Sequence, residues 1–218
     1  MAEFDWNRER NVLRGPFPFF DNTMIFESLE VDPAEATALL RITYKGNDPL
    51  LQKGRGHPLV PPLHLHFKQS ETFKVIQGQM AAVVGYDEKE VIISSEDEKP
   101  YEIRPYTPHT PYCYGGDVDT IVLIRAHPAK DEDPLGALFF EHLFRHLDEA
   151  HRARKAPDVV QVMVMQHATD SALVMFPSAW FLGNLRWVIP WALQASVAKV
   201  ASMFFGYTPE IKKFMHQE

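Results

Sequence analysis

Residues 62–78 decide the fold and read Pro62-Leu-His64-Leu-His66-Phe-Lys-Gln-Ser-Glu71-Thr-Phe-Lys-Val-Ile-Gln-Gly78. His64 and His66 are two residues apart in a β-strand pattern, so both imidazoles leave the same face of the strand. Two imidazoles that point into one space form the geometry that a metal ion needs from neighbouring ligands. Glu71 opens the next β-rich run and can supply an anionic oxygen to the same ion. Gly78 then permits a tight turn.

Alternation along this second run predicts which side chains line an interior cavity. Phe73 and Val75 share the face of Glu71 and are expected to point inward. Lys74 lies on the other face and is expected to point outward.

A second informative stretch, Arg104 to Cys113, is rich in proline and contains His109. Together the two stretches resemble the motifs of the cupin family. The first motif is spaced H-x-H, four residues, E, six residues, G, and residues 64–78 match it completely. The second motif ends a proline-rich turn in a histidine, and His109 fills that position. Tyr106 stands where the family commonly has glycine, and Cys113 stands where it commonly has asparagine.

The resemblance covers roughly residues 20–127 and implies a mainly β fold. That fold is the cupin double-stranded β-helix, a jelly-roll barrel, here followed by an α-helical C-terminal extension. Short β-rich runs separated by turn residues are typical of a sandwich or barrel. The strongest runs are 23–31, 38–44, 72–77, 80–84, 91–94 and 120–125. We therefore divide the chain into an N-terminal arm (1–20), a cupin barrel (21–127) and a helical extension (128–218).

After a charged linker at 128–134, the sequence pattern changes from β-rich runs to helical spacing. Asp133-Pro134 is a helix start signal, because Asp caps a helix and Pro fits its first turn. The residues after it repeat at helical spacing and make one apolar face: Leu138, Phe139, Leu143, Phe144 and Leu147. Helix is also predicted over 159–165 and 180–205, with breaks at Pro177 and Pro190.

His142 and His146 are four residues apart on the first of these helices. They resemble half of a zinc-protease motif, but Leu143 follows His142 where that motif needs a glutamate as general base. We interpret the two histidines as part of a solvated helix face.

Composition excludes several classes of function. The 218-residue chain has a net charge of −7 and no basic block, so nucleic acid is not expected as a partner. A single cysteine excludes an intrachain disulfide and fits a reducing, cytoplasmic compartment. The N-terminus has no apolar segment of a secretory signal, and Lys199 interrupts the longest apolar stretch, so no transmembrane segment is predicted.

The apolar side chains of the extension must be covered. We expect them to pack on the barrel, as a lid or wall over the cavity, or on a second subunit. A homodimer is favoured, and contact with a membrane surface is the third option.

The predicted ligands of one divalent transition metal are His64, His66, Glu71 and His109. Such a set suits Fe(II), which we favour, or Mn, Ni, Co or Zn. The resemblance implies an enzyme, and we favour a dioxygenase-type oxygenase. Its substrate is expected to be a small apolar, aromatic or polyketide-like molecule, because the chain is loosely similar to cupins of fungal secondary metabolism.

Two alternatives stay open. One is a non-redox isomerase, cyclase or decarboxylase that uses the metal as a Lewis acid. The other is a non-catalytic protein that binds a small molecule. Tyr106 and Tyr112 are candidate catalytic residues, because a phenol near the mouth of the barrel can donate a proton or hydrogen bond. Cys113 is either a cavity residue or a buried apolar thiol, as free cysteines usually are.

Overall fold

The computed structural model describes residues 4–128 and 136–215. The strands within these ranges are β1 (Val12–Phe19), β2 (Met24–Leu29), β3 (Ala38–Tyr44), β4 (His64–His66), β5 (Gln69–Gln77), β6 (Gln79–Val84), β7 (Lys89–Ser94), β8 (Tyr101–Ile103), β9 (His109–Tyr112), β10 (Thr120–Pro128) and β11 (Ser171–Leu173). The helices are α1 (Ala137–Arg152), α2 (Val159–Ala168) and α3 (Leu185–Phe205).

The strands form two antiparallel sheets. One has the order β1-β2-β3-β10-β5-β8 and the other has the order β11-β4-β9-β6-β7. Their inner faces share one hydrophobic core, since Leu40 and Phe73 of the first sheet lie in the same buried cluster as Met80 and Ile93 of the second. The predicted fold class, a mainly β jelly-roll barrel with a helical C-terminal extension, is confirmed.

Alternation along β5 follows the prediction. Phe73 and Val75 are buried in the shared core. Lys74 points outward, where its Nζ donates to the Asp97 carbonyl at 2.7 Å. Gly78 has φ +75° between β5 and β6, a conformation that favours glycine.

The predicted N-terminal arm contains a strand that sequence patterning did not indicate. Residues 12–19 form β1, which pairs with β2 at the edge of the six-stranded sheet. Pro16 and Pro18 hid this strand, because proline cannot donate to a central ladder. An edge strand tolerates proline, since one of its sides has no partner strand to accept a hydrogen bond.

Helix α1 closes the open side of the barrel with the apolar face predicted for it. Phe139, Phe144 and Leu147 pack against the shared core. The predicted linker 128–134 and start signal Asp133-Pro134 lie outside the described residues, apart from the end of β10.

The opposite face of α1 is not solvated, so that prediction was wrong. Glu141 and His142 are buried there, and Glu141 accepts from Arg14 Nε of β1 at 2.5 Å. His142 Nδ1 accepts from the backbone N–H of Ile211 at 3.0 Å, and its ring contacts Phe214. Segments from both ends of the chain therefore cover this face, which local periodicity cannot reveal.

Helix α3 runs through Pro190 without a break, which corrects the predicted interruption there. A proline removes the hydrogen bond to the carbonyl four residues earlier, here that of Arg186. The backbone N–H of Met175 donates to this carbonyl at 2.8 Å, so the carbonyl keeps a partner. Pro190 is therefore tolerated inside the helix, because a backbone N–H from another segment takes the place of the missing donor at the Arg186 carbonyl.

Helix α1 and one side of α3 pack on the barrel. Trp187 and Trp191 pack with Leu65 of β4 and Ala172 of β11. The other side of α3 is exposed. Helix α3 is long and apolar enough to cross a membrane. Buried core helices of other proteins can have the same length and composition.

Candidate metal centre

Three histidines meet at one end of the five-stranded sheet. Strand β4 lies between β11 and β9, and His64 is paired directly with His109 in the ladder. The imidazole centroids of His64 and His109 are 4.4 Å apart, and those of His66 and His109 are 5.2 Å apart. One ligand atom from each of the three side chains lies within 4.8 Å of the others, and all three are buried in the protein. This is a geometry that can hold one metal ion.

Glu71 reaches the same point from the opposite sheet. Its carboxylate oxygens lie 3.3 Å from His109 Nε2 and 3.6 Å from His66 Nε2. The carboxylate is also buried. The structure therefore brings together all four side chains that the sequence indicated as ligands.

The hydrogen bonds of two histidines fix which ring nitrogen faces the cluster. His64 Nδ1 donates to the Pro62 carbonyl at 2.9 Å, and His109 Nδ1 donates to the Thr107 carbonyl at 2.9 Å. In both rings Nδ1 then carries the proton and Nε2 offers a lone pair. Backbone carbonyls commonly orient metal-binding histidines in this way.

The nitrogen atoms at the centre lack hydrogen-bond partners within the described residues. They are both ring nitrogens of His66 and Nε2 of His109, and all are buried. Buried polar atoms are rarely left without a partner in a folded protein. Three imidazoles and one carboxylate around such atoms fit a divalent transition metal, because these are the ligand types that such ions prefer.

Electrostatics keep these groups in the protonation states that bind metal. Burial alone would raise the pKa of Glu71, but the contact with His109, whose Nε2 lies 3.3 Å away, and the other neighbouring imidazoles lower it to about 2. Burial lowers the pKa of His66 to about 4 and that of His64 well below its ordinary value. At neutral pH the cluster therefore presents the anionic carboxylate of Glu71 beside the unprotonated imidazoles of His64 and His66.

The arrangement decides the fold family. Two facing antiparallel sheets carry three histidines on one and a glutamate on the other, at the spacing of both motifs. The barrel has the cupin fold.

Comparison with known proteins finds fungal relatives. No protein-family model matches the chain. The chain is 24% identical over 201 residues to the probable oxidoreductase virH of Hypocrea virens, covering 90% of this chain and 84% of that protein. It is 27% identical over 201 residues to the oxidoreductase iacF of Pestalotiopsis fici, covering 91% of this chain and 93% of that protein.

Among solved structures, the chain is similar to the capsular polysaccharide assembling protein CapF of Staphylococcus aureus. The match has 14% identity and a TM-score of 0.39, and it covers 57% of this chain and 30% of CapF. The chain thus spans about a third of the length of CapF.

A mainly apolar cavity of about 300 Å³ lies inside the cupin barrel, and His64, His66 and Glu71 form part of its lining. Its walls come from both sheets, the segment before β4, and helices α1 and α2. Representative apolar lining residues are Ile42, Leu59, Phe73, Phe140, Leu143 and Val162. Helix α1 therefore forms a wall of the cavity.

Tyr44 is a polar group in this cavity that sequence patterning did not single out. Its ring lines the cavity, and burial raises the pKa of its phenol well above the ordinary value. The hydroxyl therefore keeps its proton, and it has no hydrogen-bond partner within the described residues. Tyr44 shares the inner face of β3 with Ile42, so alternation along 38–44 was the available signal.

The two tyrosines predicted as catalytic differ in exposure and in the partners of their side chains. Tyr106 is 55% exposed and packs on Phe67 and Trp187. It has φ +60° at the position where cupins commonly have glycine, so the turn keeps the glycine conformation despite the side chain. A catalytic role of Tyr106 stays a prediction.

Tyr112 lies on β9 and, by alternation, on the face opposite to His109. Its hydroxyl donates to the Glu90 carboxylate on β7, and Tyr112 is also among the residues that line the cavity. Its catalytic role also stays a prediction. Cys113 is a buried thiol within the core, and burial raises its pKa far above the ordinary value.

Proposed function

We propose that this cupin is a metal-dependent oxidoreductase, and more narrowly an oxygenase that acts on a small apolar or aromatic, polyketide-like molecule. The observation that carries the proposal is the convergence of four buried ligand side chains at one end of an apolar cavity. The names of the fungal relatives support the oxidoreductase class.

We assign one divalent metal, with Fe(II) favoured, to His64, His66, Glu71 and His109. Four protein ligands leave two positions of an octahedral ion for other molecules, as a reactive site requires. Bound there, Fe(II) would supply the redox chemistry of oxygen activation, whereas Zn(II) would supply Lewis-acid chemistry only. A reducing, cytoplasmic compartment fits this assignment, because it keeps iron in the Fe(II) state.

The protein's own contribution is to bind and orient an apolar substrate and to exclude water. In the six-stranded sheet, Glu71 of β5 lies opposite Ala126 of β10, and Ala126 lies opposite Ala38 of β3. Ala38 is therefore at the same position along the strands as Glu71. Tyr44 lies six residues farther along β3, which corresponds to about 20 Å. The cavity therefore suits an elongated molecule with one end at the cluster.

At the far end, the Tyr44 hydroxyl can donate a hydrogen bond to an oxygen of that substrate. A phenol that keeps its proton and has no internal partner favours a carbonyl, hydroxyl or carboxyl group at this position. Gln166 and Ser171 offer further polar atoms in the cavity wall, and Ser171 is paired with His66. These groups would fix the direction in which the substrate enters.

The first test is metal analysis of the purified protein combined with oxygen uptake. We expect about one iron per chain after growth with iron, and substrate-dependent oxygen consumption with aromatic ketones or polyketide-like phenols. His109→Ala should remove both the metal and the activity, whereas His57→Ala removes a buried histidine outside the cluster and should leave the metal content unchanged. One tightly bound zinc with no oxygen uptake would instead support the non-redox alternative.

A further inference from the structure

Helix α3 and the turn before it present a broad apolar surface, which we call the α3 face. Its members are large hydrophobic side chains that are exposed in the structure: Met175, Phe176, Trp180, Phe181, Leu185, Ile189, Leu193, Val200, Met203, Phe204 and Phe205. Aromatic pairs stand at both ends, and the aliphatic residues between them lie on one side of the helix.

The size of this surface is unusual. Trp180 is 80% exposed, Phe181 and Phe205 are each 73% exposed, and Phe204 is 72% exposed. At about 150–250 Å² for each aromatic side chain, the five aromatic residues alone present on the order of 700 Å². The largest apolar patch of a typical monomer is about 300–600 Å² and is often functional. The aliphatic side chains extend the α3 face further.

The helix cannot turn this surface inward, because its other side is already fixed to the protein. Gln194 Nε2 donates to the Ser171 carbonyl at 3.0 Å, and Ala198 and Ala201 are buried with Val164 of α2. Helix α3 therefore lies along the surface of the cupin, with its apolar side outward. It does not project from the protein as a membrane-spanning helix would.

The charge of this region differs from that of the whole chain. The chain carries a net charge of −7, yet no aspartate or glutamate occurs between Ser171 and Pro209. Arg186 and Lys199 are the only formally charged residues in that stretch. Arg186 is bound to the Pro177 carbonyl and stacks on Tyr86, whereas Lys199 is exposed among the apolar residues.

We propose that the α3 face docks the protein on an anionic lipid surface, with α3 lying in the plane of the interface. Exposed tryptophan, phenylalanine and aliphatic side chains next to one another are typical of the apolar side of interfacial helices, and Lys199 places a basic residue among them. The aromatic pairs at the two ends would enter the headgroup region, and Lys199 would contact lipid phosphate.

A second copy of the chain fits the charge pattern less well. A two-fold interface places the same patch on both subunits, so each Lys199 would face a surface without an acidic partner. Protein interfaces also carry a polar rim around their apolar core, and the α3 face has few charged residues to form one. An anionic membrane supplies the missing negative charge.

Docking would also bring the cavity close to an apolar medium. Helix α2 packs on α3 and contributes Val159 and Val162 to the cavity wall. An apolar substrate could then pass from the lipid into the barrel. This consequence rests on the proposed function, whereas docking itself does not.

The test is flotation of the full-length protein with vesicles. We expect it to float with vesicles of phosphatidylcholine and phosphatidylserine, and to float less with phosphatidylcholine alone. Phe204→Ser/Phe205→Ser and Trp180→Ser/Phe181→Ser should each lower the partition coefficient by about tenfold or more, because each pair removes two inserted aromatic rings. Lys199→Glu should remove the preference for anionic vesicles.

Leu13→Ser and Val118→Ser are matched controls, because both side chains are exposed apolar groups outside the α3 face. They should float like the unchanged protein. All variants should keep its melting temperature, since the substituted side chains are exposed. The assay is run with and without a chelator, so that its result is separate from that of the metal test.

Two results would overturn the proposal. In one, the unchanged protein stays out of the vesicle fraction at every lipid composition. In the other, light scattering shows a dimer that Phe204→Ser/Phe205→Ser dissociates, and the protein does not float. A second copy would then cover the α3 face.

Discussion

Replacing His66 by leucine should abolish metal binding and yet stabilise the metal-free protein. His66 is 5% exposed, and neither ring nitrogen has a hydrogen-bond partner within the described residues. A buried polar group without a partner destabilises a protein by about 1–3 kcal/mol. His66→Leu removes two such atoms and replaces them with apolar ones. Glu71 keeps its contact with His109 at 3.3 Å but loses the one with His66 at 3.6 Å, which offsets part of the gain.

The expected gain in the presence of a chelator is about 1–3 kcal/mol, because imperfect packing of leucine offsets part of the benefit. For a chain of this size each ~1 kcal/mol shifts the melting temperature by about 2–4 °C. The variant should therefore melt roughly 2–12 °C higher than the unchanged protein. With metal at about 100 times its dissociation constant, the unchanged protein should gain about 2.7 kcal/mol and the variant should gain nothing.

His57→Leu provides the matched control. His57 is equally buried, but both of its ring nitrogens have partners: the Cys113 carbonyl at 3.0 Å and the backbone N–H of Leu59 at 3.1 Å. Its replacement leaves two backbone groups without partners and should destabilise the protein by about 2–4 kcal/mol. Calorimetry of all three proteins, with chelator and with added iron, measures these differences. A chelator-treated His66→Leu variant that melts below the unchanged protein would refute the reasoning.

Three further predictions concern the cavity, the helix wall and the thiol. Tyr44→Phe should raise KM for the substrate by about three- to tenfold with kcat nearly unchanged, because it removes one hydrogen bond worth about 0.5–1.5 kcal/mol; an equal fall in kcat would point to a direct role in the reaction. Burial raises the pKa of Glu141, but the hydrogen bonds from Arg14 and Arg145 lower this pKa overall. The ionised Glu141 carboxylate therefore stabilises the protein above about pH 4.3, and this stabilisation is lost as the pH falls through the pKa of Glu141 in the folded protein. Glu141→Gln should therefore destabilise the protein by about 3 kcal/mol at neutral pH and flatten the acid limb of its stability curve, as denaturant titrations at several pH values would show. Cys113 should resist a thiol reagent in the folded protein and react at once in denaturant, because burial raises the pKa of its thiol; rapid labelling of the native protein would contradict this.

The ligand cluster could be predicted because its geometry is local. His64 and His66 share a strand, and Glu71 and Gly78 follow at fixed spacing, so alternation and one turn determine their relation. His109 required the family motif, because only strand pairing brings it beside His64. The conformation of Tyr106 shows that the motif constrains the backbone more than the residue type, since φ is positive without glycine.

Features that depend on distant segments could not be predicted in this way. Strand β1 was hidden by its prolines, and only its position at the sheet edge makes them tolerable. The continuity of α3 through Pro190 depends on Met175, which lies outside the helix. Tyr44 has an ordinary strand pattern around it, and its importance comes from the cavity that both sheets and two helices enclose.

The buried polar side of α1 explains how the two ends of the chain take part in forming the cavity. Glu141 is bound by Arg14 of β1, and Asp148 accepts from the backbone N–H of Phe20 at 2.7 Å. His142 accepts from Ile211 near the C-terminus. A charged or polar group buried between segments needs its partners, so these contacts fix α1 in one position over the barrel. The apolar wall of the cavity is therefore positioned by residues that contact neither the predicted metal ligands nor the cavity. Substitutions at either end of the chain should alter substrate binding before they alter metal binding.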